Sequence, residues 1–110
     1  PFHLSKLMAE TRVNELIKEL NSKKRIKIID AACGSGCLML GILAVLKEKG
    51  INYQKRIFIN CSDLDENTIQ MAYVQLTIVG AKAKCENKNS LTGEIFGRWD
   101  TFNYSISGNI

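Results

Sequence analysis

The sequence predicts an α/β protein with a doubly wound, mainly parallel sheet, of which it carries the first three strands. Three observations predict it. Short β-branched apolar runs alternate with longer segments of helical period, in the order strand–helix–strand–helix–strand. The stretch "DAACGSGC", residues 30–37, passes from an apolar run through a glycine turn into the apolar segment "LMLGILAVL". The chain has 110 residues and is 45% hydrophobic, which fits one small domain with a modest core.

The elements follow in chain order. Leu4, Leu7 and Met8 make one helical face, and Val13, Leu16, Ile17 and Leu20 make another, nearly opposite. Residues 2–20 are therefore two short helices broken near Glu10–Arg12, or one helix with contacts on both sides. "NSKK" reads as a loop, and "RIKIID" as the first strand, ending at Asp30. Residues 36–49 form a helix that is apolar nearly all round, hence buried on most sides, with Gly50 as its C-terminal stop. "KRIFINC", 55–61, is the second strand. A helix over 66–79 shows Ile69, Ala72, Tyr73 and Leu76 at i, i+3, i+4 and i+7, and Gly80 ends it. "AKAKCEN", 81–87, is the third strand. The tail, 91–110, is polar, glycine-containing and aromatic and has no firm assignment. Its Phe96, Trp99, Phe102 and Tyr104 suit packing across an open sheet edge, with stacking on flipped bases as the alternative. The organisation is a helical segment 1–22, an α/β core 23–90 and that tail.

Composition excludes several classes. The net charge is +4, mildly basic, which permits a nucleic-acid partner without requiring one. The longest apolar run has ten residues, too short to span a bilayer, and no signal peptide is visible. Cys33, Cys37, Cys61 and Cys85 are not in Cys-x-x-Cys pairs, and His3 is the only histidine, so no metal site is expected. The cysteines read as small buried thiols in a reducing, cytoplasmic compartment. His3 reads as a surface or packing residue. The only proline is Pro1, and a chain that begins on proline implies a missing upstream stretch.

In a doubly wound sheet the ligand lies beyond the carboxyl ends of the strands. That edge collects Asp30–Gly36, Cys61–Asp65 and Asn87–Leu91. A nucleoside triphosphate would want Gly-Lys-Ser/Thr at the loop's end, but Cys37 and Leu38 follow Gly36. A nicotinamide dinucleotide would want a third glycine where Met39 stands. S-adenosylmethionine fits better, because it has an ammonium, a ribose diol and an adenine in place of a phosphate. A carboxylate at Asp30 can meet the ammonium, directly or through water. Glycines let the backbone approach closely. Asp63 is placed to accept from both ribose hydroxyls, with a helix-capping role as the alternative. Asp65 directly precedes the next helix and reads as its N-cap. Leu64 would lie against the adenine. Asn89 could accept from the adenine amine, or it is simply a turn residue.

At these residues the chain resembles a family. "DAACGSG" is similar to the Asp-Pro-Ala-Cys-Gly-Ser-Gly signature of the N-6 adenine DNA methyltransferases of type I restriction-modification systems. "PFHLSKLMAE" resembles their Thr-Pro segment, which lines the methionine end of the cofactor. "CSDLDENTIQMAYVQLTIVGA" resembles their second-strand region, and "NSLTGE" their third-strand element. The resemblance covers roughly residues 1–100 and extends to short methylase-like proteins of phages and mobile elements, whose tails read like "RWDTF". It implies a Rossmann-like class I S-adenosylmethionine-dependent methyltransferase fold. It implies cofactor contact at Asp30, Ala32, Gly34, Ser35, Gly36, Asp63, Leu64 and Asn89, DNA as substrate, and a recognition subunit or domain as partner. Ala31 replaces the family's proline, which loosens the loop, and Asn89 replaces its aspartate.

One family element is absent from these residues. The catalytic Asn-Pro-Pro-Tyr/Phe motif needs prolines, and there is none after Pro1. "FNYSISGNI" resembles the strand leading into that motif, with Asn109 in reach, but the spacing is off by one and Ile110 is not proline. No catalytic residue is therefore assigned. The expected function is the cofactor-binding part of a DNA adenine methyltransferase, completed by further chain or a partner. The alternatives are a non-catalytic binding module or degenerate remnant, and an RNA or small-molecule methyltransferase.

Overall fold

A computed structural model describes residues 2–31, 33, 34 and 36–107, with backbone alone at 2–7 and 107. The His3 side chain, Pro1, Asn109 and Ile110 lie outside the described residues, as do Ala32 and Ser35. The elements run α1 (Phe2–Ser22), β1 (Ile26–Asp30), α2 (Cys37–Glu48), α3 (Tyr53–Arg56), β2 (Ile57–Asp63), α4 (Glu66–Ile78), β3 (Lys82–Lys88), β4 (Ile95–Asp100) and α5 (Phe102–Ser107). The sheet order is β1-β2-β3-β4. β1, β2 and β3 pair in parallel, with Asp30 beside Cys61 and Asp63 beside Asn87. β4 returns antiparallel along β3. The α/β, mostly parallel architecture expected of the sequence is the one observed.

The first helix is one piece. Ala9, Val13, Leu16 and Leu20 recur every three or four residues and are buried, so a single stripe holds α1 against α2 and β1. Gly41 of α2 lies against Ala9, where a Cβ would come within 3.5 Å of the alanine methyl. α2 buries Met39, Ile42, Leu43 and Leu46 and packs on α1 and α4. Its apolar circumference thus has a partner on most sides, although Cys37 at its start is exposed. That corrects the reading of all four cysteines as buried. Cys33, Cys61 and Cys85 are buried.

Inward-facing Ile26, Ile28, Ile57, Ile59, Cys61, Ala83 and Cys85 meet Ile69, Ala72 and Leu76 of α4 in one core. Residues alternate in direction along a strand. Phe58 therefore points to the opposite face, where Tyr104 of α5 meets it edge-on at 6.5 Å between centroids. Helices thus lie on both faces of the sheet.

Two boundaries moved. Residues 53–56 form a helical turn, and β2 runs from Ile57 to Asp63. Tyr53 Oη donates to Val79 O at 2.8 Å and Arg56 Nη2 to Leu20 O at 2.9 Å. These tertiary bonds fix the turn and delay the strand. The tail acquires structure: β4 covers β3, and Thr101 is buried between them. Thr101 Oγ1 donates to Ala81 O at 2.7 Å and accepts from Ala83 N at 3.1 Å. Of the four tail aromatics, Trp99 packs against the core and Tyr104 meets Phe58, as the sheet-edge reading expects, whereas Phe96 and Phe102 stay exposed, which corrects that reading for these two. Residues 102–107, which resemble a strand in sequence, are the helix α5. Asn103 Nδ2 holds that helix by donating to Gly80 O at 2.7 Å.

Candidate functional site

The site is built where three parallel strands end. β1 stops at Asp30, and the chain turns back across the end of β2 before starting α2. Cys33 N donates to Ser62 O at 3.1 Å. Gly34 N donates to Asp63 Oδ2 at 3.0 Å. The glycine loop and the second-strand carboxylate, 29 residues apart in sequence, thus meet directly. Gly34 has φ +57° and Gly36 φ +87°, both left-handed, which side chains rarely tolerate. The two differ in space. A Cβ on Gly34 would meet nothing within 4 Å among the described residues, whereas one on Gly36 would sit 3.3 Å from the Ala72 methyl. Gly36 therefore serves close packing of loop on α4, and Gly34 leaves an open backbone surface at the sheet edge.

Asp63 is half-buried. Besides the Gly34 bond, its Oδ1 accepts from Asp65 N at 2.9 Å. A carboxylate has about four acceptor positions, so about two remain for another donor. Asp65 caps α4, accepting from Thr68 N at 3.1 Å, which is the role its position predicts. Leu64 stands between them with 64% of its surface exposed, projecting from the edge.

Asn87 was not foreseen. It is 7% exposed at the end of β3, and its Nδ2 donates to Leu64 O at 2.8 Å and Asp63 O at 3.2 Å. One buried amide thus fixes the backbone that presents Asp63 and Leu64. The available signal was the inward alternation Ala83, Cys85, Asn87, which places a polar side chain on an apolar face. Ser90 was also missed: its Oγ donates to Ala31 O at 3.2 Å and ties the β3–β4 turn to the glycine loop.

Asn89 has its side-chain oxygen in that turn, accepting from Leu91 N at 3.0 Å and Thr92 N at 3.3 Å. This is the arrangement of an Asx turn, so the oxygen expected to accept from an adenine amine is engaged within the turn. Asp30, also half-buried, borders a groove of about 310 Å³ between α1, β1 and α2, which Met8, Arg12, Leu38 and Met39 help to line. α1 is thus brought beside the first-strand carboxylate. Ala32 and Ser35 fall outside the described residues.

Cys33 sits between these carboxylates. A hydrogen bond from the Cys61 thiol lowers the Cys33 pKa, against burial and the charges of Asp30 and Asp63, which raise it. The Cys61 thiol is pushed far up by that same bond and by burial. Among the described residues no group of three or more His, Cys, Asp or Glu could hold a metal ion, and no helix is long and apolar enough to cross a membrane.

A family model described as N-6 DNA methylase matches residues 1–109. The chain belongs to the N-6 DNA methylase family. A solved protein from Listeria monocytogenes, assigned as a class I S-adenosylmethionine-dependent methyltransferase, has a similar fold. The TM-score is 0.55 at 25% identity, over 69% of this chain and 23% of that one. The chain thus spans about a quarter of the length of this structural relative. A comparison with curated proteins finds no match. The family's signature loop and second-strand region are the segments that Gly34 and Asp63 join here.

Proposed function

We propose that this chain is the S-adenosylmethionine-binding part of a DNA adenine N-6 methyltransferase. The observation that carries the reading is the 3.0 Å bond between Gly34 N and Asp63 Oδ2, which assembles the glycine loop and the acidic strand end at one edge. The fit is favourable on three counts. Gly34 has open space on its Cα side, Asp63 keeps unused acceptor positions, and Leu64 offers an exposed apolar surface.

S-adenosylmethionine supplies an electrophilic methyl group when bound. The chain's own residues have simpler tasks. Asp63 accepts from the ribose hydroxyls, and charge-assisted bonds of this kind are worth about 1.5–3 kcal/mol each. Asp30 offers a carboxylate to the ammonium, beside the groove that Met8 and Leu38 line. Gly34 and Gly36 offer the backbone cradle; the family resemblance adds Ala32 and Ser35, which lie outside the described residues. Leu64 covers one face of the adenine, and Asn89 meets its edge. Asn87 and Ser90 are positioning residues that hold these groups in register.

Positioning the target amine is a separate task. Adenine's exocyclic nitrogen is a poor nucleophile, and it must be held about 3–3.5 Å from the methyl carbon. In the resembled family an Asn-Pro-Pro motif does this, and these 110 residues contain no such motif. Transfer therefore needs further chain or a partner subunit that also carries DNA recognition.

The test uses tritiated S-adenosylmethionine and unmethylated duplex DNA. Ultraviolet crosslinking is expected to label the protein, and incubation with DNA alone to leave the DNA unlabelled. No protein crosslink would contradict the cofactor reading. Label on adenine that disappears with Asn109→Ala would contradict the half-site reading and make "SGNI" a divergent catalytic loop.

A further inference from the structure

The chain sorts its charge by sheet edge. Asp30, Asp63, Asp65 and Glu66 gather at the C-terminal ends of the parallel strands, with Lys88 and Arg12 as the cations there. The opposite edge carries Lys23, Lys24 and Arg25 between α1 and β1, Lys55 and Arg56 in α3, and Lys82 at the start of β3. Three acidic residues share that end: Glu19 and Glu48 at helix ends, and Asp100, which is paired with Arg98 at 2.9 Å. Lys24, Arg25, Lys55, Arg56 and Lys82 line one groove of about 630 Å³, and every one of these side chains is cationic.

The five have different tasks. Arg56 is committed to the fold, donating to Lys24 O at 3.1 Å and Leu20 O at 2.9 Å. It thereby fixes the connection that carries Lys24 and Arg25. Lys82 Nζ rests 4.9 Å from the centre of the Phe58 ring. Lys24, Arg25 and Lys55 complete the wall, and among the described residues none of the five is in a salt bridge. Holding five like charges together costs repulsion, and a polyanion would relieve it.

We propose that this groove binds the phosphodiester backbone of duplex DNA without reading its sequence. Concavity fits a backbone strand better than a flat bilayer, and the lining has no apolar side chain to insert into lipid. The choice of DNA over RNA rests on the family reading above. The groove and the glycine loop lie at opposite ends of strands of five to seven residues, about 20 Å apart at the rise of a β-strand. Contacts in the groove therefore hold DNA without presenting a base to the donor edge. They supply affinity for flanking duplex, and the completing chain presents the target base.

The test is fluorescence anisotropy of a labelled 20-base-pair duplex, titrated with the whole 110-residue chain between 50 and 200 mM salt. Each phosphate contact contributes about 0.9 to the slope of log affinity against log salt, so three give a slope of about −2.7. The double variant Lys24→Gln/Lys55→Gln is expected to lose about 1.8 of that slope and at least tenfold in affinity at 50 mM salt. Lys18→Gln/Lys88→Gln removes the same charge elsewhere and is expected to keep the slope. Circular dichroism checks that both variants are folded, and Arg25→Gln alone, expected to lose about 0.9 of slope, replaces the first if it is not. Equal loss in both double variants, no salt-dependent binding by the wild type, tighter binding of duplex RNA, or a preference for phosphatidylserine vesicles would each overturn the proposal. Calorimetry with S-adenosylmethionine does not involve the groove, so a failure here is distinguishable from failure of the cofactor reading.

Discussion

Cys85 links burial to pH at the level of one residue. Its thiol lies in the core, and burial pushes its pKa from 9.0 up to about 12. In the unfolded chain the thiol ionises near 9; in the folded chain it stays neutral until about 12. Its contribution to stability is therefore whole below about pH 9 and is lost as pH rises toward 12, by about 1.4 kcal/mol per pH unit. Urea unfolding between pH 8 and 11 is expected to show this loss, and Cys85→Ala to shed about one proton's worth of it. An identical pH slope in the variant would mean that Cys85 is open to water. At this scale sequence legibility depends on whether a role is local. Asp65 was readable as a cap because its partner, Thr68, is three residues away. Asn87 was not, because its partners Asp63 and Leu64 are more than 20 residues distant and become neighbours only when β2 and β3 pair.

The parallel core was legible element by element because each run is bounded by its own signals. α2 ends where Gly50 N donates to Lys47 O and Ile51 N to Leu46 O, a Schellman motif. α4 ends in the same way at Gly80 and Ala81. β4 carries no such pattern. As an edge strand it leaves both Ile95 and Phe96 about half exposed, so it shows no alternation, and Gly97 sits within it because a Cβ would come 2.9 Å from the Trp99 ring. Its register also shifts at Asn87/Lys88. Beside the β3–β4 ladder and the Asn103 bond, one buried hydroxyl ties the tail to the start of β3. Thr101→Val keeps the shape but leaves Ala83 N and Ala81 O without their partner. A buried unsatisfied group costs about 1–3 kcal/mol, so thermal unfolding is expected to show a loss of about 2 kcal/mol or more, with amide exchange of β3 and β4 accelerated. Unchanged stability would mean that β4 and α5 are not docked through Thr101.

The whole molecule is a sheet with two chemically distinct edges. Helices run antiparallel to the strands they connect, so glycine loops and acidic strand ends gather at one edge and lysine-rich connections at the other. That placement follows from the parallel direction of β1, β2 and β3; the acidic edge was legible in the strand–helix alternation, and the basic edge emerges only from the structure. The bond between Gly34 and Asp63 was not legible either, since no local pattern says that the loop folds back over β2. The central claim is that this bond marks the floor of an S-adenosylmethionine site, and Asp63 is its most exposed commitment. Isothermal titration calorimetry of S-adenosylmethionine into the chain and into Asp63→Ala tests it most directly. The account predicts one site in the wild type and a loss of about 2–4 kcal/mol in the variant, at least thirtyfold in affinity. Equal affinity in the two proteins, or no binding by the wild type, would contradict it.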